Sequence, residues 1–578
     1  MVKFLYSLFF SLLLFHSTVG QQAPAEYFSF EPGSDYKLAN YKMLKDYYQQ
    51  LASSSDRVVY EEIGESVLGR PLILLIISSK ANLDRIDELK KIAREQALAK
   101  VNQKQSILNT KSGKAVVWID AGLHASERAT AQMMPLLTYH LATAEDMETK
   151  SIRDNVVSLI MPVMNPDGLD IIVDWYQKNR GTPYETTSPP WLYHHYIGHD
   201  NNRDWFMNNM PETKAVNKVL YQEWFPQIVY NQHQTSPSWA RMFVPPFANP
   251  VNPNIAPAVV SGTNLVGTAI ANRLALKNMP GVISHYRFSM WWNGGMRTVP
   301  YFHNMIGILT ETAHATPTPR RYPKDSKPKT IGGEVPSDGS AIFYPDPWEG
   351  GESKFRDAVD YMYEASLAVL KLAADRKSQY LSDIYTLGKQ AAKKSAANFY
   401  GYLLSSDQTE SQEVLELIDL LLYGGVEIHR LTEEYQYNDK TFPAGSFLVP
   451  ANQAFINYAI DLMEKQSYPI QRKYPKGPLK TPYDLAGWTL PMQMGVSFEK
   501  LPVNSSPKST VITSTSTAKA VIRGNGQWVS FSPENNASYR LVNQLLHQSV
   551  EVLFDETTGD LVPGLGAFAS PCWQKSLL

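Results

Sequence analysis

The chain has 578 residues, of which 43% are hydrophobic and 19% are charged, and its formal net charge is −2. This length predicts two or three domains, and the near-neutral charge gives no indication of nucleic acid or an anionic membrane as a partner. The single cysteine, Cys572, excludes an intrachain disulfide and a cysteine-based zinc site.

Residues 1–20 have the pattern of a secretory signal peptide. Lys3 precedes an almost wholly apolar run from Phe4 to Phe15, and small residues come before Gln21. A membrane anchor is the alternative, but the run is shorter than the about 20 residues of a membrane span. We therefore expect a secreted protein, extracellular or periplasmic, without a membrane span after cleavage.

The next part of the chain alternates predicted strands with predicted helices. The strands are at residues 58–60, 71–77, 115–119 and 156–163. This alternation predicts an α/β domain, with a mixed, mostly parallel sheet flanked by helices. Ligands of such sheets bind beyond the carboxyl ends of the strands. A helical region near residues 355–394 is expected to end this domain.

A second alternation begins at Asn398. A strand at 399–404, a helix at 410–423 and a strand at 426–431 indicate a βαβ unit. We therefore expect a second, smaller α/β domain at residues 396–578.

His124 and Glu127 lie between the strand at 115–119 and a helical pattern that starts at Ala129. A nitrogen donor and a carboxylate at such a turn can point to one spot, as two zinc ligands must. A solvated helix start is the alternative interpretation.

His233 is the candidate for a third ligand, because an apolar stretch, Phe225 to Val229, delivers it to a strand end. A closely spaced pair with a distant third ligand is a common arrangement of catalytic zinc. We expect one Zn²⁺ per chain; a buried histidine bonded to a neighbour is the alternative.

Five motifs in order resemble those of zinc metallocarboxypeptidases of the carboxypeptidase A and B family. They are His124 with Glu127, Asn165 to Gly168, Gly198 to Trp205, His233, and Glu311. The segment from Gly64 to Arg70 also resembles the first hairpin of that family. The resemblance covers residues 30–385, which are expected to form a catalytic domain.

The resemblance implies a role for each matching residue. His124, Glu127 and His233 would hold zinc, and Glu311 would act as the general base. The residues implied to act on the substrate are Asn202 and Arg203, which would bind its terminal carboxylate, and Arg180, which would stabilise the developing oxyanion.

Two positions depart from the family pattern. Ser126 stands where many relatives have arginine, so the subsite for the penultimate substrate residue is in doubt. The tyrosine that covers the substrate has no match at the expected spacing; Tyr286 is kept as a candidate, and Tyr301 lies in the same region.

The segment from Trp291 to Arg297 is expected to line the specificity pocket. It has no carboxylate, which disfavours substrates ending in Lys or Arg. Arg297 would favour acidic ends if it pointed inward, and an exposed arginine is the alternative. The first hairpin follows the signal closely, so we expect activity without removal of a pro-segment.

The region 396–578 resembles the glutamine-amidotransferase-like modules of some secreted enzymes in this family. Since no cysteine lies at a strand-to-helix turn, a binding or structural role is expected. The abrupt end after Ser570 leaves open whether this domain is complete.

Together these features predict a secreted zinc exopeptidase that hydrolyses C-terminal peptide bonds of peptides or proteins with a free terminal carboxylate. One alternative is a zinc amidohydrolase acting on cell-wall peptides or acyl-amino acids, which the intact Asn202 and Arg203 disfavour. The other is a non-catalytic binding protein on the same fold, which the complete set of ligands and base disfavours.

Overall fold

The computed structural model describes residues 21–194, 200–234, 239–313, 316–332, 335–337, 339, 341–515 and 529–563. The predicted signal peptide at residues 1–20, Gly198 and His199 of the third motif, and Cys572 lie outside the described residues. Within the described residues, no helix has both the length and the apolar character required to cross a membrane.

The α-helices of the described residues are α1 (Pro24–Phe28), α2 (Tyr41–Ser53), α3 (Lys80–Leu83), α4 (Ile86–Ala97), α5 (Gln103–Ser112), α6 (Ala129–Thr143), α7 (Met147–Asn155), α8 (Pro166–Asn179), α9 (Pro211–Lys218), α10 (Pro257–Leu276), α11 (Phe355–Asp375), α12 (Lys377–Ala396), α13 (Ser411–Tyr423), α14 (Ile456–Met463), α15 (Leu490–Met494) and α16 (Asn536–His547). Short helical segments of other types are Val219–Trp224 (π), Val299–His303 and Lys324–Ser326 (both 3₁₀).

The strands of the described residues are β1 (Val58–Glu65), β2 (Pro71–Ile77), β3 (Ala115–Asp120), β4 (Val156–Met161), β5 (Ile228–His233), β6 (Met242–Phe243), β7 (Ala248–Val251), β8 (Val282–Ile283), β9 (Ser289–Met290), β10 (Ile306–Thr312), β11 (Arg320–Tyr322), β12 (Thr330–Ile331), β13 (Val335–Pro336), β14 (Gly351–Ser353), β15 (Gly401–Leu404), β16 (Ile428–Leu431), β17 (Tyr435–Tyr437), β18 (Lys440–Phe442), β19 (Phe447–Pro450), β20 (Glu499–Leu501), β21 (Ser509–Ile512), β22 (Val552–Phe554) and β23 (Leu561–Pro563).

The main sheet has the order β1-β2-β4-β3-β5-β10-β6-β8. Its centre, β4-β3-β5-β10, is parallel throughout. The hairpin β1-β2 joins one edge antiparallel to β4, and the short β6 lies antiparallel to β10 on the other side. The prediction of a mixed, mostly parallel sheet is confirmed.

Both faces of this sheet are covered, which explains why its central strands are continuously apolar. Along β3, Val116 and Trp118 pack into a core that includes α4, while Val117 and Ile119 pack into a second core with α6 and α11. Polar residues therefore occur where these strands end, and that edge is where the candidate site lies.

A second sheet in the C-terminal region has the order β20-β15-β19-β16-β21. β15 and β16 are each antiparallel to β19, which lies between them. β15 and β16 therefore run parallel to each other and are connected through α13, as a βαβ unit requires. They are not adjacent in the sheet. The sequence indicates the unit and not this insertion, because β19 comes from a later part of the chain.

Candidate metal and substrate site

A tight turn after β3 presents His124 and Glu127. Gly122 has φ +66°, and its N–H donates to Thr130 Oγ1 at 3.0 Å. The Glu127 N–H donates to the His124 carbonyl at 2.9 Å, which closes a turn and directs both side chains to one side. The helix α6 then begins at Ala129.

The structure brings the three predicted metal ligands together. The Glu127 carboxylate lies between the two imidazoles, with Oε1 2.9 Å from His124 Nδ1 and Oε2 3.0 Å from His233 Nδ1. One ligand atom from each residue lies within 4.8 Å of the other two. His233 reaches this position because it is the last residue of β5, next to β3 in the sheet.

The outer ring nitrogens are bound by other side chains. His124 Nε2 donates to Asp200 Oδ1 at 2.7 Å, and His233 Nε2 donates to Asn231 Oδ1 at 2.5 Å. Asn231 Nδ2 in turn donates to Asp120 Oδ1 at 2.5 Å. Protons fixed on both Nε2 atoms leave the Nδ1 lone pairs for a metal ion, as outer hydrogen bonds do in metal sites.

The charges at this cluster favour a bound cation. Burial opposes protonation of His124, but the carboxylates of Glu127 and Asp200 raise its pKa to about 10. Burial likewise opposes ionisation of Glu127, but His124 and then His233 lower its pKa to about 2. A site that stabilises positive charge beside two imidazoles and a carboxylate fits Zn²⁺ by donor set and charge.

Glu311 lies beside the metal ligands. β10 runs parallel to β5 with Glu311 paired opposite His233, so the two side chains leave the sheet on the same face. Glu311 is only 5% exposed. The structure thus places the predicted base next to the cluster and not on the surface.

Asn202 and Arg203 follow Asp200 along the same side of the cluster. Asn202 Nδ2 lies 3.3 Å from His233 Nε2, and its Oδ1 accepts the N–H of Met296 at 2.8 Å. The Arg203 guanidinium bonds Asp200 Oδ2 through Nη1 at 3.0 Å and lies over the ring of Trp292 at 5.6 Å.

Two further motifs stabilise the loops around the site. The Asp167 carboxylate accepts bonds from Ser66 Oγ at 2.8 Å, from Arg70 Nη1 at 2.7 Å and from the N–H of Leu68 at 3.1 Å. These contacts join the first hairpin to the start of α8. A Cβ on Gly168 would lie 2.4 Å from the Tyr193 carbonyl, so glycine is required for this close approach.

Arg180 is not brought to the cluster. It follows the last residue of α8, whose first turn faces the site, and a helix of 14 residues carries it roughly 20 Å away. Its side chain is exposed and lies 5.5 Å from the ring of Tyr36. We therefore leave Arg180 out of the proposed catalytic set. Its spacing from the motifs in the sequence does not show at which end of α8 it lies.

The structure also places the tyrosines and Arg297 of the specificity region. The Tyr286 ring lies against Gly332, where an added Cβ would meet its hydroxyl. The Tyr301 hydroxyl accepts a bond from Arg297 Nη1 at 2.9 Å, and Arg297 is buried with its guanidinium over Phe247. Arg297 thus points inward, and the assignment of Tyr286 to the substrate stays a prediction.

Besides Asn231 and Asp120, which position His233, sequence reasoning missed four further side chains at the site. Asp200 binds His124, as described above, and the Tyr193 ring lies 6.1 Å from the His124 ring. Tyr483 and Asp484 come from the C-terminal region and line a cavity with Arg203. Only Asp200 lay in a motif that could have indicated it; the other three have no local pattern.

Part of the chain matches a known protein family. Residues 44–238 match the Peptidase_M14 family, described as zinc carboxypeptidase. The match includes His124, Glu127 and His233 but ends before Glu311, whose place is known from the structure alone. Peptidase_M14 enzymes are zinc-dependent and act on peptides or proteins, and the match suggests peptidase activity.

Solved structures that resemble the chain are carboxypeptidases and related proteins. Thrombin activatable fibrinolysis inhibitor is 14% identical over 62% of this chain and 78% of its own, with a TM-score of 0.37. A metallo-carboxypeptidase from Burkholderia cenocepacia is 15% identical over 58% and 68%, with a TM-score of 0.35. Carboxypeptidase A from Helicoverpa armigera is 15% identical over 60% and 74%, with a TM-score of 0.32. A comparison with curated proteins gives no match.

Proposed function

We propose that the protein is a zinc-dependent exopeptidase that removes the last residue of peptides or proteins. The observation that carries this proposal is the convergence of His124, Glu127 and His233 at one sheet edge, with Glu311 on the adjacent strand. Two imidazoles and a carboxylate form the ligand set of many catalytic zinc sites.

Glu311 supplies the proton transfers in this proposal. A zinc ion held by His124, Glu127 and His233 would supply Lewis-acid chemistry, which lowers the pKa of a bound water to about 7 and polarises a carbonyl. The Glu311 carboxylate takes a proton from the attacking water and gives it to the nitrogen of the departing amine. Its burial at the sheet edge keeps it close to the scissile bond and shields the transfer from bulk solvent.

Arg203 gives the proposal its exopeptidase character. A guanidinium recognises a carboxylate through paired N–H donors, and Arg203 lies near His233 through the neighbouring Asn202. The Asn202 side chain is held by its hydrogen bond from the N–H of Met296. In this proposal it lies beside the bound carboxylate of the substrate. A free substrate terminus bound here would place the last peptide bond, and no other, at the metal.

The test is hydrolysis of one peptide in two forms, with a free and with an amidated C-terminus. The purified protein with zinc is expected to release the last residue of the free form only, as followed by mass spectrometry. A chelator should abolish release, and added zinc should restore it. Release of internal fragments, or equal cleavage of the amidated form, would contradict the exopeptidase proposal.

Other substrates and a binding measurement with the same purified protein address the two alternative functions. Cleavage of acyl-amino acids or cell-wall peptides without peptide hydrolysis would favour the zinc amidohydrolase. Tight peptide binding without turnover in the zinc-loaded protein would favour a binding protein on this fold. Secretion through residues 1–20 and the glutamine-amidotransferase-like assignment of residues 396–578 stay predictions, as does the domain boundary itself.

A further inference from the structure

The C-terminal region places a carboxylate on the arginine that is proposed to bind the substrate. Asp484 Oδ2 lies 3.2 Å from Arg203 Nε, while Asp200 Oδ2 lies 3.0 Å from Arg203 Nη1. One guanidinium therefore lies between two carboxylates, and the local charge of the three groups is −1. A substrate carboxylate that binds Arg203 has to replace one of these two, because they already occupy its Nη1 and Nε donors.

Asp200 is not the group that can move. It also binds His124 Nε2, and its Oδ1 accepts the N–H of Asn202, so its displacement would disrupt the metal site. Asp484 belongs to a stretch without regular secondary structure, in which Tyr483 is 37% exposed and Leu485 is 50% exposed. Release of Asp484 is therefore the smaller rearrangement.

The same stretch fills the space beside Arg203. Tyr483 packs against Phe288 with ring centroids 5.1 Å apart. Together with Trp292 and Arg297, Tyr483 and Asp484 line a cavity of only about 40 Å³. That space holds little more than ordered water, so a terminal side chain of ordinary size does not fit while the stretch stays in place.

Firm anchors lie on the C-terminal side of this stretch. Trp291 Nε1 donates to the Ala486 carbonyl at 3.1 Å, and Trp488 Nε1 donates to the Asp461 carbonyl at 2.9 Å. Trp488 is buried and packs on Trp291. Residues 482–485 can thus leave Arg203 while Trp488 keeps the C-terminal region attached.

We propose that Asp484 is an internal competitor for the substrate carboxylate, and that the Tyr483–Asp484 stretch occupies the terminal-residue subsite until a peptide displaces it. This inference rests on the proposed function, because it takes Arg203 as the carboxylate-binding residue. It gives the C-terminal region a role in limiting which peptides enter the site.

The test measures peptide binding in the zinc-loaded Glu311→Gln protein, so that turnover does not interfere. The probe is a short peptide with a free C-terminus, with its amidated form as the reference, titrated by calorimetry. Adding Asp484→Asn should strengthen binding of the free form by about tenfold, the effect of removing one charge-assisted hydrogen bond, and leave the amidated form unchanged. Asp439→Asn, an exposed carboxylate elsewhere in the C-terminal region, is the matched control and should change neither.

Arg203→Ala in the same background separates the two proposals. If it abolishes the preference for the free form while Asp484→Asn has no effect, the competitor is excluded and the exopeptidase proposal stands. If Arg203→Ala also has no effect, both fail. Weaker binding after Asp484→Asn would make Asp484 a substrate-binding residue and overturn the inference.

Hydrogen exchange gives a second measurement that does not require the Asp484→Asn substitution. Binding of the free peptide to the Glu311→Gln protein should increase amide exchange in residues 482–485, because the stretch leaves the cavity. Protection of these amides on binding would overturn the inference.

Discussion

The two halves of the candidate site are built in different ways. The metal half consists of His124, Glu127, His233 and Glu311, which all lie at the ends of adjacent strands in one sheet. The other half, which is proposed to bind the substrate carboxylate, joins Arg203 and the Trp291–Arg297 segment to Tyr483 and Asp484 of the C-terminal region. The first half depends on strand register, and the second depends on how two regions pack.

This difference predicts where each half is sensitive. Backbone pairing fixes the metal half, so changes there should affect chemistry and metal binding. The other half contains an exposed stretch and an arginine that is paired with two carboxylates, so changes there should affect substrate binding. Four substitutions test this division, ordered by their expected effect on turnover.

The largest effect is expected from Glu311→Gln. Loss of the proton acceptor should lower kcat by about 100-fold to 10,000-fold, while the metal ligands keep zinc. Kinetics and zinc analysis of the same preparation check this. Glu364→Gln, which alters a remote glutamate paired with Arg273, is the control. Unchanged kcat in Glu311→Gln would remove this residue from the mechanism.

Arg203→Ala should act on binding and not on chemistry. We expect KM for peptides with a free terminus to rise by about 10-fold to 100-fold, with a smaller change in kcat, because a charge-assisted contact is lost. The comparison substrate is the amidated peptide, which should respond little. Arg356→Ala, at an ion pair with Asp360 far from the site, should change neither constant.

Asn231→Ala tests whether the hydrogen bond between Asn231 and His233 contributes to zinc binding. Asn231 orients His233 and connects it to Asp120, so its loss should weaken zinc binding by about tenfold or more. Competition with a chelator measures this affinity. Asn82→Ala removes another buried asparagine, bonded to Ser78 and Arg153, and should leave zinc binding unchanged. Equal effects of the two variants would argue for general destabilisation.

The smallest effect on turnover is expected at Asp461, which joins the two regions. Its carboxylate accepts bonds from Asn252 at 2.7 Å and from Asn293 at 2.7 Å, and burial raises its pKa to about 7. Because the folded pKa exceeds the ordinary value of about 3.9, the stability from protonated Asp461 is present below about pH 4 and is lost as pH rises through about 7.

Thermal unfolding of the wild type and Asp461→Asn across this pH range checks the direction. The wild type should lose stability relative to the variant as pH rises from about 4 to about 7, since asparagine does not titrate there. A constant difference between the two proteins across the range would show that burial does not raise the pKa of Asp461.

The origin of each half also explains which residues could be anticipated. Apolar strands and the residues that follow them are local patterns, so the sheet, His124 with Glu127, and His233 could be read along the chain. Arg180 lies at the far end of a helix from the site, and spacing along the chain does not show at which end of that helix a residue lies. Tyr483 and Asp484 lie in an irregular stretch whose sequence carries no motif.

The amino-acid sequence by itself determined the main sheet and the edge at which polar ligands meet, since parallel strands end at the same side wherever the rest of the chain goes. Only the tertiary structure decided that β19 separates β15 from β16, that Arg297 faces inward, and that Asp484 lies on Arg203. These three features depend on packing between segments that are far apart in the chain. Shape and charge complementarity between such segments produces no periodic pattern in the sequence of either one.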